Sequence, residues 1–184
     1  MHESFVHEVL VFLCIILSVC GMFSFAFDII WSLPLRDVVF DCQMSEYSLP
    51  YIGFADGASH STQNLASTAW AIYVPKNELI TLWGVCLGRA INNIAEYSVV
   101  IELLIYSISL DIRHLVVWLD SQLVVLQLSN VYVIQGPTLL WVYLQIFLLE
   151  RYFDYINYQH IPRSLNTLTD AMANYVLDRH LNNL

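Results

Sequence analysis

Tyr51-Ile52-Gly53-Phe54-Ala55-Asp56-Gly57 is a short apolar run that closes on an acid and a glycine. It reads as a β-strand ended by a turn. Downstream, Thr68 to Val74 is rich in aromatic and branched residues, a second strand; Pro75-Lys76-Asn77 is turn chemistry, and Leu79 to Leu87 is a third strand. Three strands with short connections make an antiparallel meander. Asn93 then opens a helix that runs to about Leu110, with Ala95, Val99, Leu103 and Tyr106 on one stripe. Leu115 to Leu119 is a buried strand and Ser121 to Ser129 a short helix. Pro137 opens a further helix to about Arg151, and Tyr152 to His160 is the last strand. Leu168, Ala171, Met172, Tyr175 and Val176 form the apolar stripe of a final helix. The order is βββαβααβα, with no internal repeat.

Four acids stand on these elements, each in its own setting. Asp56 lies in Phe54-Ala55-Asp56-Gly57-Ala58-Ser59 and Glu96 in Asn92-Asn93-Ile94-Ala95-Glu96-Tyr97. Asp120 lies in Leu119-Asp120-Ser121-Gln122. Asp170 lies in Thr167-Leu168-Thr169-Asp170-Ala171, after His160-Ile161-Pro162-Arg163-Ser164-Leu165-Asn166. Taken singly, each has a purely structural reading. Asp56 before Gly57 suits a turn. Glu96 three residues after Asn93 suits a capping box, Asp120 with Ser121 a helix cap, and Asp170 a first-turn acid favoured by the helix dipole. Those readings do not explain why all four occur together, in this order and on these elements.

In order and spacing the four acids resemble those of the ribonuclease H type 1 domain, and more narrowly the version in plant gypsy-type retrotransposon polyproteins. The resemblance covers roughly residues 50 to 184. It implies an α/β fold with a mixed five-stranded sheet flanked by helices, in which strands one and four are neighbours. It implies hydrolysis of the RNA strand of RNA–DNA hybrids with two Mg²⁺ ions, Mn²⁺ serving as a substitute. Asp56, Glu96, Asp120 and Asp170 would be the metal ligands, because Mg²⁺ takes hard oxygen ligands and close carboxylates repel without a cation. His160 would be the auxiliary that moves protons, histidine being the side chain whose charge changes near neutral pH; a strand-end structural role is its alternative. Asn92, Asn93, Gln122 and Asn166 would face the nucleic acid, where amides can meet a 2′-OH. Reverse transcriptase or integrase domains of a parent polyprotein are the implied partners. A catalytically decayed module that binds nucleic acid or a partner through the same fold is the rival reading.

Composition bears on that rivalry. The 184 residues are 58% hydrophobic and 12% charged, with net charge −9 and Lys76 as the sole lysine. This is the wrong sign for holding phosphates, so weak and salt-sensitive binding is expected. Relatives often carry a basic residue where Trp118 stands, and are rich in arginine where this chain has Trp141, Tyr143, Gln145 and Phe147. Cys14, Cys20, Cys42 and Cys86 form no zinc-spaced cluster and read as buried free thiols.

Residues 1–50 read as a separate apolar segment and linker. Val9 to Phe27 is an uncharged run of 19 residues, just long enough to span a bilayer as a helix. It is compatible with a membrane anchor, with an element lying on the domain, or with translated sequence under no selection. No basic residue precedes it, so a secretory leader is not indicated. An intracellular location is expected, with membrane association through 9–27 left open.

Overall fold

The computed structural model describes residues 49–60, 65–90 and 92–182. The elements are β1 (Tyr51–His60), β2 (Leu65–Tyr73), β3 (Leu79–Arg89), α1 (Asn92–Ser109), β4 (His114–Leu119), α2 (Gln122–Leu128), α3 (Pro137–Glu150), β5 (Tyr155–His160) and α4 (Thr167–Leu181). A single 3-10 turn, Arg163–Leu165, precedes α4. The order is the one expected from the sequence. The expected apolar run 9–27 lies outside the described residues, as do Cys14, Cys20 and Cys42. Among the described residues no helix is long and apolar enough to cross a membrane.

The sheet has five strands in the order β3-β2-β1-β4-β5. β1, β2 and β3 pair antiparallel, as short turns allow. Asn77 closes the β2–β3 turn in the left-handed region at φ 62°, a conformation that asparagine tolerates. β4 pairs parallel with β1 and with β5. A parallel neighbour requires a crossover: α1 supplies it between β3 and β4, and α2 with α3 between β4 and β5. The register sets Ala55 beside Leu119, so Asp56, within β1, and Asp120, just past the end of β4, lie at one level.

Helices cover both faces. α1 lies over β1 and β2, with α3 against its outer side. It is buried almost all round, through Ala95, Tyr97, Val99, Val100, Leu103 and Leu104, as a helix between a sheet and another helix must be. α2 reaches β4 and β5 and is tied to α1 where the buried Tyr97 hydroxyl donates to Gln127 Oε1 at 2.7 Å. α4 covers β1 to β3 on the opposite face. There Ser67 Oγ donates to the Ala173 carbonyl at 2.7 Å.

Four expectations change. β1 does not end at Gly57 but continues to His60. Gly57 is buried mid-strand, and a Cβ there would come within 2.7 Å of Ala95 C and Glu96 N. It is glycine because the first turn of α1 rests on the strand backbone, not because the chain turns. The stripe of α4 is also rotated: Thr169, Ala173 and Leu177 are buried and Met172 and Val176 lie over Gly84 of β3 as expected, whereas Leu168, Ala171 and Tyr175 are exposed. Small side chains at 169 and 173 let the helix lie close to the sheet, and the Ser67 bond fixes that face. β5 begins at Tyr155 rather than Tyr152, because the Tyr152 and Phe153 amides close back on the Leu149 and Glu150 carbonyls. Cys86, finally, is a free thiol only half-buried, on the edge strand β3.

Candidate metal centre

Asp56, Glu96 and Asp120 converge at the end of the sheet where β1 and β4 run parallel. One carboxylate oxygen from each lies within 4.8 Å of the others. The fold positions each separately. Asp56 is held within β1 and is 3% exposed. Glu96 stands in the first turns of α1, which the missing side chain of Gly57 brings onto β1. Asp120 follows the last residue of β4, and the Tyr97–Gln127 bond fixes the helix after it against α1. Ser121 occupies the N-cap of α2 without a side-chain capping bond, and Asp120 stays in the cluster.

The electrostatics are unfavourable for three bare carboxylates. Burial, then repulsion from Asp120 and Asp170, pushes Asp56 up to about 7 despite Arg163 and the Gly57 amide. Burial, then repulsion from Asp56 and Asp120, pushes Glu96 up to about 8, against a hydrogen bond from Asn92 and the charge of Arg163. Asp56 Oδ2 and Glu96 Oε2 are buried with no hydrogen-bond partner. Buried polar atoms are normally paired. Two orphaned oxygens on members of an acidic cluster fit a hard cation with oxygen ligands.

The remaining expected residues are placed as follows. Asp170 lies in the first turn of α4, close enough to raise Asp56, but outside the set of three. Its carboxylate is ion-paired with Arg163. His160 is the exposed last residue of β5, beside Leu119 in the register, so it stands at the same sheet edge as Asp120. Asn92, Asn93 and Gln122 are exposed on the two helix starts that flank the acids. Asn92 Oδ1 also accepts from Ser59 Oγ at 3.2 Å.

Asn166, expected to face substrate, does not. It is 1% exposed. Its Nδ2 donates to the Ala55 carbonyl at 3.0 Å and its Oδ1 accepts from Thr169 Oγ1. Its amide is engaged in fastening the start of α4 to the strand that carries Asp56. Asn166→Ala is therefore expected to act on stability first. Leaving the Ala55 carbonyl and Thr169 without that partner costs about 1–3 kcal/mol, or roughly 3–10 °C in Tm for a chain of this size, measurable by calorimetry. An unchanged Tm would refute this role.

Arg163, which in the sequence reads only as part of a connector, is the basic side chain beside these acids. It is the cation that lowers both Asp56 and Glu96. The available signal was a lone basic residue between His160 and Asp170.

Comparison with known proteins agrees with this fold. The family described as reverse transcriptase-like matches residues 54–176. A bifunctional protein of Mycobacterium tuberculosis is 34% identical over 125 residues, 67% of this chain and 34% of that protein. The chain thus spans about a third of the length of the mycobacterial relatives it matches. The solved N-terminal ribonuclease H domain from M. tuberculosis is 31% identical with a TM-score of 0.70, covering 74% of this chain and 99% of that one. Ribonuclease H1 of Halobacterium salinarum is 30% identical with a TM-score of 0.69, covering 71% and 98%. LC11 ribonuclease H1, solved with an RNA/DNA hybrid, is 26% identical with a TM-score of 0.67, covering 71% and 99%.

Proposed function

We propose, from the premise that this chain belongs to the reverse transcriptase-like family of ribonuclease H domains, that it hydrolyses the RNA strand of RNA–DNA hybrids in a divalent-metal-dependent reaction. The observation that carries the reading is the convergence of Asp56, Glu96 and Asp120 within 4.8 Å, two of them with buried, unpaired oxygens. Asp56, Glu96 and Asp120 would hold the metal. Asp170 would join them by exchanging Arg163 for a cation of higher charge. The hard oxygen donor set favours Mg²⁺, with Mn²⁺ as a substitute. Two such ions, when bound, activate a water and stabilise the leaving oxygen of a phosphodiester.

The chain's own groups supply the rest. His160, exposed at the strand end next to Asp120, exchanges protons with solvent beside the scissile phosphate. Asn92, Asn93 and Gln122 present amides to the RNA strand, where a 2′-OH both donates and accepts. Phosphate is held weakly, since residues 115–150 contain no Lys or Arg. We read the source as a retroelement polyprotein, with reverse transcriptase or integrase domains as partners, on the settings of the four acids alone.

The test is cleavage of a hybrid labelled on its RNA strand, with and without Mg²⁺, against single-stranded RNA and duplex DNA. Metal-independent cleavage, or cleavage of duplex DNA in preference to hybrid, would overturn the reading. A folded protein inactive with every metal would move it to the decayed module that the thin cationic surface favours. Gly57→Ala gives a second check. The added Cβ forces α1 away from β1 and takes Glu96 with it. An ångström of misplacement costs about a hundredfold in rate, and overpacking costs about 1–3 kcal/mol. Cleavage and Tm are expected to fall together in this variant; wild-type values for both would contradict the account of Gly57.

A further inference from the structure

α3 carries a feature that neither the metal centre nor the core uses. Ile146 is fully buried on its inner side. On the outer side Leu140, Trp141, Leu144 and Phe147 form one stripe at helical spacing, with Trp141 and Phe147 more than half exposed. The loop before the helix extends it with Tyr132 and Val133, the latter 84% exposed. Tyr143 pins that loop to the helix by donating to Asn130 Oδ1 at 2.8 Å. Three aromatic side chains at about 150–250 Å² each when fully exposed, half uncovered here, with the aliphatics beside them, put the patch on the order of 600 Å². That is at the upper end of what a monomer's largest apolar patch shows, about 300–600 Å². It approaches the roughly 800 Å² that each partner buries in a standard interface.

The occupant is constrained by charge. The stretch 115–150 has no Lys or Arg, and its only acids are Asp120, in the metal cluster, and Glu150. Glu150 accepts from the Tyr158 hydroxyl at 2.9 Å. Nucleic acid would require cations along the groove, and an anionic bilayer would require them on the helix flanks. A second copy requires neither. Two copies of a chain with net charge −9 repel over most of their surface. A twofold contact apposes a patch to itself, and an uncharged apolar stripe is complementary to itself. We infer that α3 and the 131–133 loop form a homodimer interface in which the stripe packs on its counterpart from a second copy of this chain.

Sedimentation equilibrium on the full chain, from about 1 to 50 μM, tests this. The wild type is expected to be a dimer, and Trp141→Lys is expected to weaken association at least tenfold without changing the far-UV circular dichroism. If Trp141→Lys does not fold, Val133→Lys carries the test, since its side chain touches little. A monomeric wild type would overturn the inference, whether the stripe is then found to bind vesicles or an unrelated protein. So would association that survives both substitutions, which would place the contact elsewhere in the chain. Neither result bears on hydrolysis, so this inference and the proposed function fail separately.

Discussion

Asp120→Asn is expected to abolish hydrolysis of RNA–DNA hybrid while leaving the fold intact. Asparagine keeps the shape of the side chain and removes the charge that a hard cation needs. A metal-held site supplies several kcal/mol of charge stabilisation, and about 1.4 kcal/mol is tenfold in rate. The loss should therefore be at least about a thousandfold. The structure adds a second, opposite readout. Asp120 is one of the charges that raise Asp56 and Glu96. Its removal relieves repulsion, so the metal-free variant should melt no lower than the wild type at pH 8. A variant that loses activity because it unfolds would melt lower. His160→Ala should slow turnover without abolishing it, because solvent can carry the proton. Full activity in Asp120→Asn would remove the metal centre from the mechanism.

The order of elements was legible because each carries a local signature: aromatic and branched runs for strands, a Pro-Lys-Asn turn, Pro137 at the start of α3. The acids were legible because their neighbours are distinctive. Tertiary facts were not. Gly57 looks like a turn glycine in one dimension, and only the arrival of α1 against β1 explains it. Asn166 sits among candidate ligands in sequence, yet its amide reaches back 111 positions to Ala55. Arg163 was invisible as a neighbour of the acids because its partner, Asp170, is brought near only by the 3-10 turn between them. The α4 stripe misled because Leu168 and Tyr175 are larger than Thr169 and Ala173, whereas close packing on a sheet favours the smaller pair. Glu102 gave no signal at all: it lies on α1 with one buried carboxylate oxygen unpaired, and burial pushes it up to about 7.

That set of raised carboxyls makes metal-free stability fall as pH rises. Asp56 moves from 3.8 to about 7, Glu96 from 4.5 to about 8 and Glu102 from 4.5 to about 7. Between the ordinary and raised values the unfolded chain has released these protons and the folded chain still holds them. Stability then declines with pH, by up to about 1.4 kcal/mol per unit for each group. The contribution is complete below about pH 4 and is lost as pH passes 7 to 8. A loss on the order of a few kcal/mol lowers Tm by about 10 °C between pH 5.5 and 8.5. Mg²⁺ should reverse this unequally, because it stabilises by mass action and binds the deprotonated carboxylates. Its effect on Tm is expected to be small at pH 5.5 and large at pH 8.5. Glu102→Gln separates the two causes. Glu102 is not part of the acidic cluster, so this variant should show a shallower pH slope in metal-free buffer and an undiminished Mg²⁺ increment. Asp56→Asn should lose both its share of the slope and the increment. A Tm independent of pH across this window would mean that the three carboxyls are not held protonated. An equal Mg²⁺ increment at both pH values would mean that the ion binds somewhere other than Asp56, Glu96 and Asp120.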